Sequence, residues 1–248
     1  MKNIIVFMGL SLYMYATSGL EVASKSYEVM SGYGSSISKT TMILKNSNGD
    51  ESVRKLEIKK LENSEGDKSL IDFLYPMDIK DTKLLSYEII GEDDQQWLFL
   101  PALKRIKTIS SQNKSGSFMA SEFSYEDISS QNYKNYTYPS DAKKVLKDGI
   151  EYFEIIRVPI DKNSGYSKQI VWIECTSYLA RFGEYFDKQH RLLKKVEFLE
   201  YQKIDSIYRI KKINMINVQN GKQSMLIWEE DSINADLKEN DFTKRVLK

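Results

Sequence analysis

The chain has 248 residues, 41% hydrophobic and 29% charged, with 36 basic side chains against 35 acidic ones. That balance supplies no clustered basic face for nucleic acid and no electrostatic case for attachment to anionic lipid. One cysteine and one histidine exclude an intrachain disulfide, a zinc site of several Cys or His ligands, and any Ser-His or Cys-His device without His190.

Lys2 precedes an apolar run from Ile4 to Tyr15, then the small residues Ala16, Thr17, Ser18 and Gly19. A basic start, a dozen apolar residues and a small-x-small site describe an export signal over 1–18. The run is shorter than the roughly 20 apolar residues a spanning helix needs. No Cys stands at the junction, so the expected product is periplasmic and not lipidated.

Leu20, Ala23, Tyr27 and Met30 recur at helical spacing, and Gly32 and Gly34 follow as stop signals. This predicts one amphipathic helix over 20–33. The period then changes to two. Segments 37–46 and 51–62 flank Asn48, Gly49 and Asp50, a hairpin signal, and the second seats Leu56 and Ile58 inward best. Arg54 and Lys60 share their parity. Further strands are predicted at 69–75, 84–91, 95–100, 104–110, 133–138, 151–158, 167–175, 178–187, 192–203, 207–218 and 222–230. Ile170 to Ile173 is apolar in both parities, which implies sheet covered on both faces in places. Many strands with little helix between them mean an antiparallel sandwich or barrel. No linker interrupts them, so 19–248 reads as one domain. The Ser-rich segment 111–132 carries Phe118, Met119, Phe123 and Tyr125. It reads as a flap packed over the core or as a partner-binding loop.

Three blocks carry a resemblance: Phe73 to Asp78 leading to Leu84 and Leu85, Gln96 to Lys107, and Gly116 to Asp127. With Trp172, Leu193 to Lys195, and Asp241 to Arg245 in order, the chain resembles the outer-membrane lipoprotein-sorting protein family. These are the LolA/LolB-like periplasmic carriers often paired with RND or MMPL-type exporters. The resemblance implies a mainly β fold: a strongly curved, incompletely closed antiparallel barrel with short helices as a lid and an apolar cavity for acyl chains. The chain departs from the family at Ala120 and Glu122, where Gly and Asp are expected.

On that reading the cavity and lid are assigned to Phe73, Met77, Leu85, Trp97, Phe99, Arg105, Phe118, Met119, Phe123 and Tyr125. Ordinary core packing is the alternative for each apolar one. Flexible, polarisable walls suit acyl chains, and Met30, Met42, Met215 and Met225 belong to the same list. Arg105 has three roles open to it: bonding lid carbonyls, meeting a cargo head group, or standing in solvent. No cofactor or metal is expected. The leading function is a non-enzymatic carrier of a lipid or lipid-anchored cargo. The alternative is a periplasmic adaptor of a membrane transporter that carries nothing. A hydrolase would need two carboxylates converging across a cleft, which spacing along a chain does not establish.

Overall fold

The computed structural model describes residues 17–129 and 131–247. The expected leader falls outside them except for Thr17 and Ser18, which are part of the fold. Ser18 Oγ accepts from the Glu21 N–H at 3.1 Å and caps α1 (Gly19–Glu28). The Thr17 carbonyl accepts from the Ala142 N–H at 2.9 Å. α1 is shorter than its periodicity predicts. The chain leaves it through Gly32 and Gly34, both at positive φ.

Six strands follow: β1 (Ser35–Lys45), β2 (Glu51–Leu61), β3 (Lys68–Tyr75), β4 (Lys83–Tyr87), β5 (Gln95–Leu100) and β6 (Arg105–Ile109). After the flap, which holds α2 (Tyr125–Ile128), come β7 (Tyr136–Thr137), β8 (Lys143–Lys147), β9 (Ile150–Pro159) and β10 (Tyr166–Glu174). The last four are β11 (Ala180–Asp187), β12 (Leu192–Ile204), β13 (Ile207–Asn217) and β14 (Gln223–Ile233). All pair antiparallel in one sheet ordered β6-β5-β4-β3-β2-β1-β14-β13-β12-β11-β10-β9-β7, with β8 on β9. Its two ends do not meet. The architecture is the mainly β, curved and open sheet that the resemblance implies.

Two differences from the sequence reading have plain causes. β8 (KKVLK) carries two apolar residues, and its pattern reads as solvated loop; pairing with the β9 edge makes it a strand. The expected strand 133–138 shrinks to Tyr136–Thr137 because a tight turn, Tyr133–Asn135, takes its first half.

Inward positions alternate along much of the sheet: Met42 on β1, Leu56 and Ile58 on β2, Phe73 on β3, Val196 on β12, Met215 on β13 and Leu226 on β14. On β10 the inward pair is Val171 and Ile173, while Trp172 faces out and donates to Glu154 Oε2 at 3.1 Å. Gly183 stands opposite both Val171 and Val196, and a Cβ there would lie 2.6 Å from Val196 Cγ1. Only glycine lets these side chains close over the strand.

The convex face is dressed at β3–β5 alone by the C-terminal segment. Phe242 and Leu247, both 0% exposed, pack on Leu70, Leu85 and Trp97. Lys83 Nζ donates to the Val246 carbonyl at 3.0 Å, and the Tyr87 hydroxyl to that of Phe242. Phe242→Ala should therefore cost about 3–5 kcal/mol in a urea titration, as for other buried aromatics. Exposed Leu103→Ala should stay within about 0.5 kcal/mol. Equal midpoints for the two would mean that the tail does not hold the outer face.

Candidate functional site

A cavity of about 300 Å³ lies between α1, the flap and the concave face. α1 contributes Ala23, Tyr27 and Met30, the flap Phe123 and Ile128. The sheet supplies Ile58, Ile71, Ile155, Val171, Val196, Ile213, Met215, Leu226 and Trp228. Its size sits at the low end of the ~300–1,000 Å³ typical of small-ligand sites, and its mainly apolar wall is the kind that releases water at little cost.

Of the ten residues assigned to the cavity and lid, Phe123 alone lines this space, and of the further methionines Met30 and Met215 do. Phe73, Phe118, Met119, Phe123 and Tyr125 do come together, as the core plug that the flap drives between the sheet walls. The Phe118 ring lies 5.7 Å from Phe73 and 5.6 Å, edge-on, from Tyr125. Leu85, Trp97 and Phe99 have the opposite parity and pack beneath the C-terminal segment instead. In Gln96-Trp97-Leu98-Phe99 the buried inward pair is Gln96 and Leu98. Met77 is 77% exposed at the β3–β4 turn. Arg105 stands on the free edge strand β6 and is exposed, the solvated alternative of its three.

The role of bonding lid carbonyls belongs to Arg54. It shares the inward parity of Leu56 and donates through Nη1 to the Met119 carbonyl. Met119 and Ala120 sit at φ 49° and 62°, in the left-handed region. Ala120, the first of the two expected departures from the family, keeps this bend without glycine at a steric cost of about 1–2 kcal/mol. Glu122, the other departure, accepts from Asn217 Nδ2 at 2.8 Å, and its N–H donates to Ser224 Oγ at 2.9 Å. Both bonds tie the flap to β13 and β14.

The far end of the flap is held by charge. Ser124 and Asp127 form a capping box on α2. Asp127 Oδ2 pairs with Lys194 Nζ at 2.8 Å, with both side chains below 10% exposure. The Tyr166 hydroxyl lies 2.9 Å from both Asp127 oxygens and 2.7 Å from Lys194 Nζ. Next to it Glu126 accepts from Ser164 Oγ at 2.7 Å and the Gly165 N–H at 2.9 Å. Burial, with the Asp127 charge beside it, pushes the Glu126 carboxyl up to about 7. Gln96 Nε2 completes the fastening, within reach of the Tyr125 carbonyl and Ser129 Oγ.

The polar part of the cavity went unseen in the sequence reading: Lys60, Ser36, Ser38, Ser69, Tyr33 and Arg209 at one end, Arg157 and Gln131 at the other. For Lys60 the signal was present, since it shares the parity of Leu56 and Ile58. For Arg209 it was not, because bulges in the β12–β13 ladder break the alternation.

The open curved sheet, its two covers and the cavity between them define a LolA-like fold. A family model described as "uncharacterized protein" matches residues 65–248. An outer membrane lipoprotein-sorting protein domain from Vibrio parahaemolyticus is 41% identical with a TM-score of 0.88, over 92% of this chain and 97% of that one. A DUF1329 family protein from Desulfovibrio piger is 27% identical with a TM-score of 0.87, over 93% and 98%. A LolA superfamily protein from Nitrosomonas europaea, 18% identical with a TM-score of 0.76 over 93% and 99%, shares the fold. No curated protein matches. The chain belongs to the outer-membrane lipoprotein-sorting protein family.

Two outcomes follow from the fastening. Lys194→Met leaves Asp127 buried without its cation and should cost about 3–5 kcal/mol, part of which the double variant with Asp127→Leu recovers. Glu126 holds a proton in the folded chain that the unfolded chain has already lost. Its stabilisation is therefore complete below about pH 4.5 and is lost as the pH rises through about 7. Melting curves between pH 5 and 8 should fall less steeply for Glu126→Gln than for the parent; identical slopes would contradict the assignment.

Proposed function

We propose that this protein is a non-enzymatic periplasmic carrier that holds the acyl part of a lipid or lipid-anchored cargo in the cavity under α1. The observation that carries the reading is the mainly apolar 300 Å³ space kept open between α1, the flap and the sheet. A core of this size packs to crystal-like density unless something else fills the gap. Acyl binding there is driven by burial at about 25 cal/mol per Å² removed from water. The relative from Vibrio parahaemolyticus bears a lipoprotein-sorting description at 41% identity, which supports the same class. Export on the expected N-terminal leader, cleaved ahead of Thr17 so that the Ser18 cap stays with the fold, would place the carrier in the periplasm. Its donor or acceptor in this proposal is an inner-membrane exporter of the RND or MMPL type.

The test is native mass spectrometry with lipid extraction on protein taken from its own periplasm. We expect acyl species to co-purify with the parent and with Leu103→Ser, an exposed control, and to be lost from Ile213→Trp, which fills the cavity. A parent that arrives empty and takes up no fluorescent fatty acid or lipopeptide would remove the carrier reading and leave the non-carrying adaptor.

A further inference from the structure

The concave face is not uniformly apolar. Reading the ladders across five strands gives one polar row: Ser36 on β1 opposite Lys60 on β2, then Ser69, Ser86 and Gln96 on β3, β4 and β5. The next row inward is Ser38, Ile58, Ile71, Leu84 and Leu98. The wall thus changes from polar to mostly apolar in one step of the pleat.

Lys60 stands between Ser36 and Ser69 in the polar row, and all three line the cavity. Among the described residues its ammonium makes no ion pair and no hydrogen bond, although carboxylates lie in the neighbourhood. Those carboxylates are engaged elsewhere. Asp231 pairs with Arg209 at 2.8 Å, and Arg209 is stacked 4.2 Å from the Tyr33 ring. Glu62 accepts the N–H groups of Gly32 and Gly34. Glu88 accepts from Asn135 Nδ2 and from the Asp67 N–H. Asp67, pushed up to about 6 by burial and by Glu88, accepts the Asn63 N–H. Burial, and then the Arg209 charge nearby, holds the Lys60 ammonium below its ordinary value. A desolvated cation without a hydrogen-bonded partner costs stability and does nothing for the fold.

We propose that the cargo is an anionic amphiphile whose carboxylate or phosphate head is received by Lys60 and its flanking serines, with the acyl chain running inward toward Met215 and Phe123. The inference rests on the carrier reading and narrows it. It selects a fatty acid or a phosphate-headed lipid over an acyl chain with a neutral head. A charge-assisted hydrogen bond in a dry site supplies about 1.5–3 kcal/mol, which is roughly ten-fold or more in affinity.

The experiment uses delipidated mature protein and two matched probes, cis-parinaric acid and its methyl ester, titrated by fluorescence. The parent should bind the acid about ten-fold or more tightly than the ester. Lys60→Met should bring the acid down to the ester's affinity and leave the ester unchanged, and Lys60→Arg should restore the preference. The empty Lys60→Met protein should also melt higher than the parent, since an unpaired, half-buried charge has gone. Competition by palmitate against palmitoyl lysophosphatidic acid then tells the carboxylate source from the phosphate source. Equal binding of acid and ester by the parent, or a Lys60→Met protein that melts lower, would overturn the head-group inference and leave the carrier standing. Failure of both probes to bind would overturn the carrier reading, and this one with it.

Discussion

Every other feature depends on the β1–β14 ladder. β1 to β6 step away from it in one direction and β14 back to β9 in the other, each half a chain of neighbouring antiparallel strands. Ten Cα pairs between Ser36 and Lys45 on one side and Gln223 and Ile233 on the other join these halves into a single trough. The ladder is the long-range closure that a local meander does not need, and its loop entropy is offset only once both halves pack against a common interior. A register break between Lys39 and Thr40 lets the two halves turn toward each other at the seam.

A trough whose edges do not meet leaves its concave face to be covered by something other than strands. The chain uses two covers of different character. The flap enters as a wedge of Phe118 and Phe123 and is fastened at both ends, by Arg54 near Met119 and by Lys194 at Asp127. α1 is held by its Ser18 cap, by Val22 and Ala23 against β9, β10 and β11, and by Tyr27 against Tyr133, with ring centroids 5.5 Å apart. Among the described residues no buried ion pair secures it. The sequence reading left 111–132 as a flap packed over the core or a partner-binding loop; the burial of Phe118 and Phe123 and the charges around them make it the packed cover. The edges are managed separately, by Lys and Arg on β6 and β8, residues that resist pairing with another chain.

The alternation of apolar residues made the sheet legible because a period of two is a local property. Leu56 and Ile58 named the inward face of β2 correctly. The same reasoning applied two residues further would have placed Lys60 inside. Gln95 to Leu100 resisted the same treatment. Trp97 and Phe99 are as apolar as Leu98, and which set faces in depends on Phe242 and Leu247, more than 140 positions along the chain. Nothing local to β5 announces that its outer face is covered. Met77 misled for the opposite reason: it matches the family pattern, yet it stands at a turn tip where the sheet has no neighbour to offer.

Two lysines on the concave face show how the same side chain can serve the fold or stand apart from it. Lys194 is met by Asp127 and by the Tyr166 hydroxyl, so its desolvation is compensated and its removal would leave a buried carboxylate behind. Lys60 has serines on either side and no carboxylate in contact. Both sit on inner positions of the same sheet, Lys194 buried and Lys60 half-buried. What distinguishes them is satisfaction: a buried polar network is stable when every member is paired, and a half-paired one is worse than an apolar surface. The fold accounts for Lys194 completely. Lys60 has no such partner among the described residues, and the proposed anionic head group is what would complete its pairing.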